Sequence, residues 1–138
     1  MHIKVGGERL KSVFELCNKY NTKNRVVFGV ERKEDVQIVR EWNKNALVLA
    51  FIPKLSDLKT FTHCAIDIIR LWEQWVEPEI VKSIHKVGKA VWVMANNRGT
   101  GMNECGYTTQ KSLVKWKSLN VNGVILNNVE SAVVALNN

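Results

Sequence analysis

The chain has 138 residues and a mass of 15.8 kDa, with 46% hydrophobic and 24% charged residues. Those proportions exclude a disordered, collagenous or coiled-coil chain and predict one domain, 1–138. Lys and Arg number 20 against 13 Asp and Glu, a net charge of +7 and a pI near 9.5, which favours an anionic partner such as phosphate, nucleic acid or a membrane surface.

Short apolar runs alternate with helical patterns along the whole chain. Ile3–Val5 reads as a brief first strand, and Leu10, Val13, Phe14 and Cys17 then keep one helical face apolar. Val26–Val30 (VVFGV) reads as the next strand, followed by a weaker helical repeat on Val36, Val39 and Trp42. Ala46–Ile52 (ALVLAFI) and Ile66–Trp72 (IDIIRLW) are strands, with Ser56 a candidate helix N-cap between them. Pro78 suits the first turn of a helix carrying Ile80, Val81, Ile84 and Val87, and Gly88 suits its C-terminal cap. Ala90–Ala95 (AVWVMA) is a strand, Thr108 a candidate N-cap, Val121–Leu126 (VNGVIL) the last strand, and Val129–Leu136 a closing helix. The strands are rich in Val and Ile and mostly lack polar alternation, as parallel strands covered on both faces do. Repeated βα units of this kind imply an α/β fold, either a βα barrel or a doubly wound sheet.

No apolar run approaches the ~20 residues of a membrane-spanning helix, and MHIKVGGERL has no charged segment leading into an apolar one, so no signal peptide is expected. Cys17, Cys64 and Cys105 are an odd number without metal-ligand spacing, which predicts a reduced, cytoplasmic chain. His2, His63 and His85 are scattered, with no pair at a zinc-helix spacing.

The stretches IDIIRLWEQWVEPEIVKSIHKVGKAVWVMANN and YTTQKSLVKWKSLNVNGVILNNVESA together resemble the C-terminal half of the glycerophosphodiester phosphodiesterase family, whose members are phospholipase-C-like TIM barrels. GKAVWVMANN and NVNGVILNNVE stand where the family has a strand ending in a Trp-Thr-Val-Asn-like turn and the later "GVDGIITDYP". MHIKVGGERL falls on the strand of type "lnIEiK", and RVVFGVERKEDV on the following "vvisSF" strand and helix. The resemblance implies parallel βα repeats forming a partial or truncated TIM barrel, strands three to eight of eight. A complete barrel takes about 250 residues. It also implies family-level phosphoric diester hydrolysis, in lipid and glycerol metabolism, with a divalent Mg or Ca ion.

The same matching implies an incomplete catalytic set. The family's His-Arg pair, acidic metal pair and further His belong to strands without a counterpart here, and the third acidic ligand falls on Lys4. The motif's Lys falls on Gly6, Met94 stands in for the Trp, Asn97 matches the Asn, and Asn127 replaces the Asp. The expectation is therefore a chain that binds no metal and does not hydrolyse phosphodiesters alone; the other reading is a non-catalytic remnant that binds anions or a partner subunit.

In a βα barrel, ligands meet the C-terminal ends of the strands. Lys4, Glu31, Arg70, Trp72, Asn97, Arg98 and Asn127 belong to that rim, and Lys4, Arg70, Trp72, Asn97, Arg98 and Asn127 are the candidate phosphate and substrate contacts. Arg70 and Trp72 share strand parity, so they either hold a phosphodiester together or pack under a helix. In Asn96–Tyr107, Gly99, Gly101, Gly106 and Arg98 suit either anion binding by backbone N–H groups or a plain solvent loop. Glu73, Glu77 and Glu79 cluster, with Glu79 suited to the first turn of a helix. Trp42, Trp72, Trp75, Trp92 and Trp116 read mainly as core residues. Lys111, Lys115 and Lys117 decorate one helix, and the adjacent Trp116 reads as packing against the sheet rather than facing a ligand, which disfavours nucleic acid. The partner expected is a phosphodiester or phosphate small molecule. A homo-oligomer is expected too, because Ile3–Val5 and Val121–Leu126 would be open sheet edges.

Overall fold

The computed structural model describes residues 6–96 and 105–137. The strand expected at Ile3–Val5, with His2 and Lys4, lies outside the described residues, as do Asn97, Arg98, Gly99 and Gly101. Two compact units, 1–69 and 70–138, divide the chain within its third strand.

The elements alternate as the apolar pattern predicts. They are α1 (Leu10–Lys19), β1 (Val27–Val30), α2 (Lys33–Trp42), β2 (Leu47–Phe51), α3 (Leu58–Thr62), β3 (Ile68–Trp72), α4 (Pro78–Lys86), β4 (Ala90–Met94), α5 (Gln110–Ser118), β5 (Gly123–Ile125) and α6 (Val129–Asn137). Strand neighbours follow chain order, β1-β2-β3-β4-β5. Val27 pairs with Leu47 in the parallel β1–β2 ladder, and Trp92 with Gly123 in the parallel β4–β5 ladder. The α/β class of parallel βα repeats is thus realised.

In the first unit the core forms where α1 and α2 cover β1. Phe14 stacks on Trp42 with centroids 4.4 Å apart and planes 5° apart, and both meet Phe28 edge-on. Val48, Leu49 and Ala50 are all buried, so the middle of β2 is covered on both faces while Leu47 at its start is exposed, which is why its sequence lacks alternation. In the second unit β4 alternates, with Val91 and Val93 buried between half-buried neighbours, and α5 buries Leu113 and Trp116.

Helices α1, α4 and α5 stop in the same way. Asn21, Gly88 and Asn120 take left-handed backbone angles just past them, and Thr22, Lys89 and Val121 donate N–H groups back to Cys17, Ile84 and Trp116. Pro78 sits in the first turn of α4, as its fixed φ favours. Three local expectations are corrected. The N-cap of α5 is Thr109, whose hydroxyl accepts the Ser112 N–H at 3.1 Å, whereas Thr108 points its hydroxyl elsewhere. Ser56 lies inside a 3-10 turn, Leu55–Asp57, and α3 begins after Asp57. Val87 ends α4 as its C-cap, so its side chain leaves the apolar face and is exposed.

Candidate functional site

The carboxyl end of β3 carries the most developed cluster of the second unit. Arg70 and Trp72, two residues apart in an extended strand, point the same way, and the guanidinium carbon sits 4.1 Å from the indole centroid. Arg70 is only 5% exposed while Trp72 is half-buried, so the cation is sheltered and the ring offers the accessible surface. An arginine held out of water on a flat ring suits an anion with an apolar or alcohol portion, because a low local dielectric strengthens the charge. The shared strand parity read in the sequence is realised in this geometry.

The next residue, Glu73, has a part the sequence does not reveal. Its Oε2 accepts the Asn96 N–H at 2.9 Å, and its Oε1 accepts the hydroxyls of Thr108 at 2.9 Å and Ser112 at 2.8 Å. One carboxylate thus joins the end of β3 to the residues after β4 and to the first turn of α5. The available signal was an acid directly after a strand together with Thr and Ser at a helix start; nothing local says that these belong together.

Asn127, expected among the phosphate contacts, is engaged differently. Its N–H donates to Gly106 O at 2.7 Å, its side-chain Nδ2 donates to Cys105 O at 3.2 Å, and Gly106 N–H donates to Ala95 O at 2.7 Å. Gly106 is therefore held between the chain leaving β4 and the chain leaving β5. A Cβ there would come within 2.5 Å of the Asn127 side chain, and φ is +99°, so only glycine fits. Of the other candidates, Lys4, Asn97 and Arg98 lie outside the described residues.

The first unit has its own lock after β1. Arg32 donates two hydrogen bonds to Asp35, Nε to Oδ2 and Nη2 to Oδ1, each at 2.9 Å, and Gly7 N–H donates to Asp35 Oδ1 at 2.9 Å. Burial pushes the Asp35 carboxyl up, but the Arg32 hydrogen bonds, the Gly7 N–H and the Arg32 charge outweigh it and hold the pKa below the usual 3.8. Gly6 is what makes room: a Cβ there would stand 1.8 Å from Arg32 Nη2.

The family resemblance implies a divalent metal, and Lys4 and Asn97, which stand at two of the family's motif positions, lie outside the described residues. Among the described residues no group of three or more His, Cys, Asp or Glu is gathered, and Glu73 already accepts three hydrogen bonds. The histidines serve local structure. His63 Nδ1 lies 2.7 Å from Lys59 O, and His85 Nε2 lies 3.1 Å from Asn122 Oδ1. Among the described residues no helix is long and apolar enough to cross a membrane.

Comparison with known proteins gives a fold. No protein-family model matches the chain, and no curated protein sequence matches it. Solved structures do. A glycerophosphoryl diester phosphodiesterase from Parabacteroides distasonis ATCC 8503 superposes with a TM-score of 0.71 at 12% identity, covering 99% of this chain and 49% of that one. A protein described as a glycerophosphodiester phosphodiesterase from Galdieria sulphuraria gives 0.74 at 15% identity, over 99% of this chain and 56% of that one. A third, described as a glycerophosphoryl diester phosphodiesterase from Silicibacter pomeroyi DSS-3, gives 0.68 at 12%, over 93% and 44%. The chain spans about half the length of the structures it matches. The fold is that of a partial TIM barrel, and the likeness read in the sequence is met at the level of fold.

Proposed function

We propose that this chain is a glycerophosphodiester phosphodiesterase-like partial barrel that binds a phosphodiester or phosphate at the carboxyl end of β3 and, by itself, does not hydrolyse it. The observation that carries the binding reading is the Arg70–Trp72 stack, a sheltered guanidinium on a half-buried indole at a strand end. The phosphate would meet the guanidinium edge while the alcohol portion lies along the ring. The fold likeness to phosphodiesterases supports the substrate class. The inactive reading is supported by the sequence resemblance, which puts Lys4 where the family has its third acidic ligand, a cation where a divalent ion needs carboxylate oxygens. The three cysteines, an odd number without metal-ligand spacing, suit a reducing, cytoplasmic setting.

Phosphate and glycerophosphocholine titrations followed by NMR test the binding. The Trp72 indole N–H and the Arg70 Nε–H should shift with affinities on the order of tens of millimolar. Silence of both signals refutes the reading. Release of glycerol phosphate by the purified chain in the presence of Mg or Ca, abolished by chelation, refutes the inactivity.

A second reading, subunit interaction, is favoured by α6 and β5. Val129, Val133 and Val134 of α6 are exposed, and β5 stands last in the strand order. Apolar surface beside an open strand edge suits a homo-oligomer. Light scattering decides: a concentration-independent mass of 15.8 kDa removes this reading.

A further inference from the structure

We infer that Glu73 is a positioning residue for the Arg70–Trp72 anion site, fixing the end of β3 by accepting hydrogen bonds on both carboxylate oxygens at once. The inference rests on the binding reading above and deepens it.

Glu73 directly follows Trp72, in a 3-10 turn, Glu73–Trp75, that would otherwise be tied down only locally. Its carboxylate reaches three donors that lie 23, 35 and 39 residues further along the chain. Two of these, Asn96 and Thr108, stand at either end of the connection from β4 to α5, and the third, Ser112, belongs to the first turn of α5. The backbone at position 73 is thereby referenced to β4 and α5, and the Trp72 ring one residue earlier is fixed with it. Arg70 lies over that ring, so the direction its guanidinium presents depends on the ring staying in place.

The split of donors between the two oxygens gives the inference its edge. Oε1 takes two hydroxyls and Oε2 takes a backbone N–H, which cannot turn into an acceptor. A glutamine could keep all three bonds, its carbonyl accepting the N–H and its NH2 donating to the hydroxyls, whereas a methionine of similar length keeps none. Glu73→Met therefore breaks the arrangement while keeping size and most packing. Charge and position predict opposite signs. A carboxylate beside an anion site repels the anion, so its neutralisation alone would tighten phosphate binding. Loss of positioning loosens it.

The experiment titrates inorganic phosphate into the full chain and follows the Trp72 indole N–H by NMR, with wild type, Glu73→Met and Thr108→Val. Thr108→Val keeps the carboxylate charge and removes one donor. Both variants should weaken phosphate by about fivefold or more, and both should move the Trp72 indole signal before any phosphate is added. Unchanged or tighter binding in Glu73→Met, with the indole signal unmoved, overturns the inference and leaves Glu73 a stabilising residue only. If wild type shows no phosphate response, the binding reading falls. The phosphate-free indole signal then judges the positioning role separately: movement in both variants upholds it, and no movement overturns it.

Discussion

Arg40 offers the sharpest test of what holds the first unit together. From α2 its guanidinium donates to Ala65 O at 2.7 Å, Lys44 O at 2.9 Å, Ala46 O at 2.6 Å and Asp67 Oδ2 at 2.7 Å. The same Asp67 oxygen accepts Val48 N–H at 2.7 Å. One side chain thus gathers the segments entering β2 and β3 at their amino ends, where a βα fold places its stabilising contacts. Arg40→Met keeps the aliphatic stem and removes the donors. Charged hydrogen bonds are worth about 1.5–3 kcal/mol each when dry. Arg40 is 21% and Asp67 37% exposed, so water recovers part of that for the released acceptors. The net cost should be about 3 kcal/mol, the lower end for breaking one partner of a buried pair. Urea unfolding at neutral pH measures it as a lowered midpoint at unchanged slope. A loss below about 1 kcal/mol, the worth of an exposed ion pair, would refute the cooperative role assigned to this guanidinium.

Three further outcomes are expected. Because Asp35 has a depressed pKa, its stabilisation is present above its ordinary value of 3.8 and is lost as pH falls through the folded-state value. Acid unfolding should therefore be steeper below about pH 4 in wild type than in Asp35→Asn, and equal slopes would remove the Arg32–Asp35–Gly7 lock from the account. Gly106→Ala should cost about 2 kcal/mol by denaturant titration, and Asn127→Ala in the same chain should recover the steric part but not the part due to φ; full recovery would show that backbone strain contributes nothing. Gly123→Ala places a Cβ 2.7 Å from the Trp92 indole nitrogen across the β4–β5 ladder and should shift that indole N–H signal in an NMR spectrum, whereas an unshifted signal contradicts the register.

What the sequence made legible is what short-range physics decides. β1, β2 and β3 were visible because strands covered on both faces must be continuously apolar, and Leu49–Ala50 and Ile69 are buried accordingly. Pro78 and Gly88 were visible because each has one backbone preference that suits one place in a helix. Asn21 and Asn120 play Gly88's part, but asparagine also serves in caps and turns, so its presence alone did not mark a helix end. Thr108 and Thr109 are equal as caps on paper, and the choice is made by Glu73, which engages the first and leaves Thr109 to cap α5. Asp35 likewise takes its partner Gly7 from 28 residues away. Arg70 and Trp72 could be found because strand parity alone brings them together, whereas Asn127's ties to Cys105 and Gly106 need the fold.

The two ends of the strands are built from different materials, and this difference argues for where function lies. At the amino ends, side chains close on backbone: Arg40 on three carbonyls in the first unit, and in the second Asn122 Oδ1, which accepts Val91 N–H at 2.8 Å beside the His85 ring. Such contacts hold strands in place and leave no group facing outward to act. At the carboxyl end of β3 a cation lies on a ring beside a carboxylate committed to other donors, so its chemistry is arranged without being used up by the strand itself. A chain organised this way loses stability from one end and ligand response from the other. Arg40→Met should thus lower the urea midpoint while the folded variant keeps the wild-type phosphate shift at Trp72, whereas Trp72→Leu should abolish the phosphate response at the Arg70 Nε–H while costing less stability than Arg40→Met. If Arg40→Met abolished the phosphate shift in the folded state, or Trp72→Leu left the Arg70 Nε–H response intact, the division of labour between the strand ends would be wrong.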